Sequence, residues 1–190
     1  MATSNSGIRV ERSERLASPV ARLSYPTLFT PRAYSEDAEP KFSVSLLVEK
    51  NDVGNAFVDK LRQMQEKALT ALYPKKRPGN VDRYGITDGD DEGPNGPVAA
   101  GCWVVKATNK NKPAVVDQFK NPIEDEGAVY GGCFGRGSLV AKAYGTPNKG
   151  GVTLELLAVQ KTSDGTPFGG AAAARSAAVG DFDVIEDAPF

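Results

Sequence analysis

Hydrophobic and polar positions alternate most clearly over residues 41–49. Phe42, Val44, Leu46 and Val48 face one way there, and Lys41, Ser43 and Ser45 the other. That two-residue period predicts a strand with one buried face. Residues 20–25 alternate more briefly, with Ala21, Leu23 and Tyr25 on one face and Arg22 and Ser24 on the other; Pro26 and Pro31 are expected to break this strand. The period then lengthens. Phe57, Leu61, Met64, Ala68 and Leu72 recur at helical spacing, behind a cap at Asn51 or Asp52 and ahead of a stop at Pro74. Strands are predicted again at 101–108, at 130–144 with glycine interruptions, and at 152–161, with a short one at 113–117. Residues 145–151 read as a hairpin turn. Residues 85–101, rich in Asp, Gly and Pro, read as a long excursion.

Five main strands and one early helix predict a mainly β chain: an OB-fold-like five-stranded Greek-key barrel with an inserted amphipathic helix and a disordered acidic C-terminal tail. Helix and strand do not alternate regularly, which disfavours a doubly wound α/β fold. The expected domains are a flexible arm at 1–17, the barrel at 18–168, a Gly/Ala-rich tether at 169–180 and the tail at 181–190.

Composition narrows the function. The 190 residues contain no histidine, which removes the commonest general base and metal ligand and argues against an enzyme. The two cysteines, Cys102 and Cys133, are expected to be reduced thiols. No apolar run or N-terminal h-region points to a membrane or to secretion, so a cytoplasmic setting is expected. The run from Asp88 to Gly93 starts like a calcium loop, but its twelfth position is Ala99 rather than glutamate. No metal and no cofactor are expected.

Charge is uneven along the chain. The net charge is −1, yet the last ten residues hold four acids and no base, so 23 bases face 20 acids in the rest, a net +3. That body can accept a polyanion. Arg22, Lys106, Arg136 and Lys142 each fall on the non-core face of a predicted strand, with Tyr144 beside them and Phe134 bare among glycines. Cations interleaved with exposed rings are the pattern of a groove for an unpaired nucleic-acid strand, where bases stack and phosphates meet positive charge. Trp103 and Phe42 fall on apolar parity and are expected in the core. The glycines around Phe134 match no phosphate-loop spacing and are expected to mark a curved barrel strand. In the tail, Asp181, Asp183, Glu186 and Asp187 lead to Phe190, and Pro189 keeps Ala188 out of helix. A ring beside a terminal carboxylate suits a partner pocket with a cationic rim.

Four blocks carry a resemblance. Ala21-Arg22-Leu23-Ser24-Tyr25-Pro26, Lys41-Phe42-Ser43-Val44-Ser45-Leu46-Leu47, Lys112-Pro113-Ala114-Val115-Val116-Asp117 and Tyr130-Gly131-Gly132-Cys133-Phe134-Gly135-Arg136 resemble the tailed-phage single-stranded DNA-binding proteins over residues 18–170. The acidic tail ending in Phe190 matches separately. The resemblance implies an OB-fold protein of the bacterial host cytoplasm that coats single-stranded DNA during phage replication and recombination. It implies contact with replication proteins, such as a DNA polymerase or helicase, through the tail, and frequent homodimerisation. By position, Phe134 and Arg136 would line the DNA groove. The competing expectation is a non-enzymatic phage structural or assembly protein.

Overall fold

The computed structural model describes residues 8–182. In chain order it contains β1 (Arg9–Ala17), β2 (Ala21–Arg32), β3 (Lys41–Glu49), α1 (Asp52–Leu72), β4 (Val81–Arg83), β5 (Ile86–Asp88), β6 (Cys102–Asn109), β7 (Ala114–Val116), β8 (Phe134–Gly145), β9 (Gly150–Ser163) and α2 (Gly170–Val179). Short 3-10 turns occupy Gly96–Ala99 and Glu126–Ala128.

Five of the strands close on themselves. β2 pairs with β3, β3 with β6, β6 with β9 at Thr108–Glu155, β9 with β8, and β8 returns to β2 at Gly135–Ala21 and Phe134–Arg22. Only the β6–β9 contact in this ring is parallel. That order is an OB barrel, as the strand count predicts. Closure needs a tight crossing. A Cβ on Gly135 would lie 2.8 Å from the Gln160 carbonyl oxygen and 3.2 Å from Leu23 Cδ1, so β8 passes there only as glycine. The glycines of this strand therefore serve curvature.

The interior is filled by Leu23, Leu46, Val105, Leu139, Leu154 and Leu156, all sealed from solvent. Helix α1 plugs the barrel with Phe57, Leu61, Met64 and Leu72. Its first turn is fixed by the Asn51 side chain, which accepts the Gly54 N–H at 2.9 Å. Such a cap stabilises a helix by about 1 kcal/mol.

Five details differ from the pattern-based reading. Residues 9–17 are a strand rather than a loose arm: β1 pairs antiparallel with β8 from Arg9–Gly145 to Ala17–Ser138. Its side chains stay mostly exposed, so its backbone ladder, not a buried face, holds it. Strand β2 runs past Pro26 and Pro31 to Arg32, because the register jumps between Ser24–Ser45 and Thr27–Ser43. The extra residue there makes a bulge that needs no N–H from Pro26. Tyr25 sits in that bulge at φ 45°, which turns its ring out to solvent instead of onto the Leu23 face. Residues 170–179 form α2 rather than an irregular tether, in keeping with alanine's high helix propensity. Trp103 is only half-buried, packed against the core on one side.

Leu139 sits in the middle of β8 and is sealed within the barrel core. Leu139→Ala is expected to cost about 2–5 kcal/mol of unfolding free energy. Urea titration of both proteins measures it; a loss below about 1 kcal/mol would mean that the barrel interior relaxes around the gap.

Candidate nucleic-acid interface

The return of β8 to β2 builds the site. Because Phe134 and Arg22 are paired across that ladder, the Arg22 guanidinium carbon lies 5.6 Å from the centre of the Phe134 ring. It also lies 4.2 Å from the centre of the Phe168 ring. Arg22 also donates to the carbonyls of Gly132 (3.2 Å) and Thr166 (2.5 Å). A cation held over rings is worth about 0.5–2 kcal/mol, depending on how dry it is. Arg22 thus has fixed geometry but no carboxylate partner among the described residues.

The segment 164–168 completes this cluster. Phe168 N–H donates to the Gly131 carbonyl at 2.9 Å. Gly132 has φ +117°, and a Cβ there would lie 2.2 Å from the Thr166 oxygen. Phe168 continues onto Leu47, Ala99 and Val104, a small apolar cluster on the outer side of β3 and β6.

Lys106 lies on the same outer face. Its row across the sheet is Ser24–Ser45–Lys106, next to the row Arg22–Leu47–Val104. Its ammonium sits 4.0 Å from the centre of the exposed Tyr34 ring. Burial pushes its pKa below the ordinary lysine value, and no carboxylate lies in ion-pair reach among the described residues. A half-dry, unpaired ammonium is suited to receive an anion. Arg136 is two residues along β8 from Phe134 on the same face; it is exposed, and its Nε donates to the Ser18 carbonyl at 2.8 Å.

The loop over residues 89–101 covers part of this face. Ser24 Oγ donates to Asn95 Oδ1 at 2.7 Å, and the Tyr25 hydroxyl donates to the Pro94 carbonyl at 2.8 Å. Ser24, Ser43 and Ser45 are buried as a result of this cover and the bulge. The loop's own carboxylates are partly committed. Lys50 bonds both Asp88 and Asp90, and its hydrogen bond is the main cause that holds the Asp88 carboxyl below the usual range. The Gly101 N–H does most of the same for Asp90. Among the described residues no group of three or more His, Cys, Asp or Glu could hold a metal ion.

Of the six expected contact residues, Arg22, Lys106, Phe134 and Arg136 come together. Lys142 and Tyr144 do not. They lie eight and ten residues along β8 from Phe134, roughly 26 and 33 Å at about 3.3 Å per residue. Lys142 is bonded to Glu155 at 3.2 Å, and Arg12 bonds the same carboxylate at 2.7 Å. Those partners hold the Glu155 carboxyl low, with Arg12 the larger cause. Tyr144 packs against Gly151, and burial, with Tyr84 and Asp82 nearby, pushes its phenol pKa up. Of the tail residues, Asp181 is exposed after α2, while Asp183, Glu186, Asp187 and Phe190 lie outside the described residues. Pattern reading missed Phe168 and Tyr34. Phe168 carried the same signal as Phe134, a ring beside glycines.

Comparison with known proteins places this geometry in context. A family model described as "Enterobacter phage Enc34, ssDNA-binding protein" matches residues 16–188. The solved single-stranded DNA-binding protein of bacteriophage Enc34 in complex with ssDNA is 26% identical, with a TM-score of 0.69 over 82% of this chain and 89% of that one. Putative protein p50 of Acyrthosiphon pisum secondary endosymbiont phage 1 is 27% identical over 177 residues, 87% of this chain and 92% of that one. The single-stranded DNA-binding protein gp2.5 of bacteriophage T7 is 18% identical with a TM-score of 0.51, over 94% of this chain and 98% of that one, and shares the fold.

The crossing at Gly132 offers a test of how segment 164–168 is held. Gly132→Ala puts a methyl group into the Thr166 carbonyl at a positive φ, a strain of about 1–3 kcal/mol. Faster proteolysis within 164–168, with a barrel that still melts cooperatively, is the expected result. An unchanged cleavage rate would show that the segment is not pinned by that contact.

Proposed function

The chain belongs to the family of the Enterobacter phage Enc34 ssDNA-binding protein, and from that membership we propose that it binds single-stranded DNA across the face formed by Arg22, Phe134, Phe168, Lys106, Tyr34 and Arg136. One observation carries the assignment to this face: the Arg22 guanidinium lies 5.6 and 4.2 Å from two ring centres on the sheet face that also carries the unpaired Lys106. Bases can stack on the rings, at about 1–3 kcal/mol each, while phosphates meet the cations. A duplex keeps its base faces stacked inside and offers only its phosphates to such a surface.

Lys142 and Tyr144 are left out of the interface. Lys142 is held by Glu155 together with Arg12, and both Lys142 and Tyr144 lie toward the far end of β8. The protein works without chemistry on the strand: it coats and protects single-stranded DNA during phage replication and recombination in the host cytoplasm. The acidic tail, with Phe190 at its end, recruits a replication protein such as a polymerase or helicase. The same tail competes with DNA as a weak intramolecular polyanion, and the chain pairs as a homodimer. Family membership, the charge asymmetry between body and tail, and the exposed Asp181 at the start of that tail support this reading.

Fluorescence anisotropy of labelled oligothymidylate against a duplex of equal length tests the central claim. The single strand is expected to bind more tightly; equal affinity for both would overturn it. Lys106→Ala should flatten the plot of log affinity against log salt by about 0.7, one phosphate's share for a single strand. Lys142→Ala should leave that slope alone, and an equal loss from both variants would put the DNA at the wrong end of β8.

Deleting residues 181–190 removes four negative charges. Tighter oligothymidylate binding at low salt is the expected outcome, fading as salt rises and screening sets in. Weaker or unchanged binding at low salt would exclude the competition.

A further inference from the structure

Phe119 is 76% exposed, an unusual setting for a phenylalanine on a well-fixed turn. The turn is fixed by one carboxylate. Asp117 Oδ1 accepts the N–H groups of Phe119 (2.8 Å) and Asn121 (2.9 Å), and Oδ2 accepts the Asn121 side-chain amide at 3.0 Å. The Asp117 N–H closes the turn onto the Asn121 carbonyl at 2.9 Å. The turn is also tied to the barrel. Gln160 Nε2 donates to the carbonyls of Asp117 and Gln118, both at 3.3 Å. Gln160 is the ladder partner of Arg136. The turn therefore leans against β9 beside the Arg136 end of the proposed DNA face. Lys120, next in the chain, adopts φ 69°, is exposed, and forms no ion pair among the described residues. At its foot a shallow cleft opens where β7 ends and β9 continues, lined by Phe119, Ile123 and Thr162 and by the charged Asp117, Lys161 and Asp164.

We propose that the Phe119 turn is a second stacking post for the DNA strand, which runs from Phe134 past Arg136 and places a base on the Phe119 ring and a phosphate near Lys120. This rests on the single-strand reading given above. A ring whose backbone is already fixed gives up little freedom when a base lands on it, so the contact keeps most of its stacking energy. The line Phe134, Arg136, Gln160, Phe119 crosses from β8 to β9 and on to the turn, so the two rings serve successive parts of one strand and not two separate ligands. The exposed ring and the neighbouring lysine fit a nucleotide better than an apolar protein partner, which would need a wider apolar patch.

The test uses full-length protein and an oligothymidylate ladder of increasing length. Phe119→Ala should bind the shortest oligonucleotides as well as the parent does. On longer ones it should lose between about fivefold and a hundredfold, the value of one stacked base. Phe134→Ala should lose affinity at every length. Phe119→Trp should restore the long-oligonucleotide affinity, and the emission it adds should be quenched by long strands but not by the shortest. If the parent protein binds the ladder and both Phe119 variants match it at every length without quenching, the second post does not exist while the single-strand reading stands. If the parent protein binds no member of the ladder, the single-strand reading itself fails.

Discussion

The structure depends on one close approach, where β8 comes back to β2. Gly135 must pass within van der Waals contact of Leu23 and the Gln160 carbonyl for the ring of five strands to close. Closing it seals the interior leucines and also fixes the interface. The ladder step that joins Gly135 to Ala21 is the step that sets Phe134 beside Arg22. A core requirement and a surface arrangement are thus satisfied by a single crossing, and segment 164–168 then frames the half-buried ring and cation that the crossing sets side by side.

Net charge explains little here; pairing explains more. The body carries only a small positive excess. What differs along the sheet is which cations are spent. Arg12 and Lys142 share Glu155, Arg77 and Arg83 share Glu66, and Lys50 holds Asp88 and Asp90. Arg22 and Lys106 face rings rather than carboxylates. Two cations on one carboxylate still leave a positive charge over at Glu155 and at Glu66, so what sets Arg22 and Lys106 apart is that each stands beside rings with no carboxylate held against it. The covering loop adds a shape constraint: Asn95 and Pro94 sit on Ser24 and Tyr25, so the open part of the face is its rim of rings and cations and not its serine-lined centre.

Where one side of an element is buried, its sequence shows it. Strand β3 and helix α1 were readable because Phe42, Val44, Leu46 and Val48, or Phe57, Leu61 and Met64, must all reach the same interior. The family blocks and the barrel class followed from such segments and from the glycines of β8. Strand β1 left no such trace, since its backbone is held by β8 while its side chains stay wet. Tyr25 left a misleading one, since its alternation with Leu23 ends at a bulge that only the pairing with β3 reveals.

The interface divides along the same line. Local sequence sufficed to mark Arg22, Lys106 and Arg136 as outward-facing, because parity along a strand is a short-range property, and to single out Phe134 as a ring bare among glycines. It could not separate them from Lys142, whose ion-pair partner Glu155 comes from the neighbouring strand β9, or add Phe168, which reaches Arg22 from the far end of the chain. Side-chain direction is set by the nearest few residues; whether a charge is spent or a ring is met is set by strands that fold in from elsewhere.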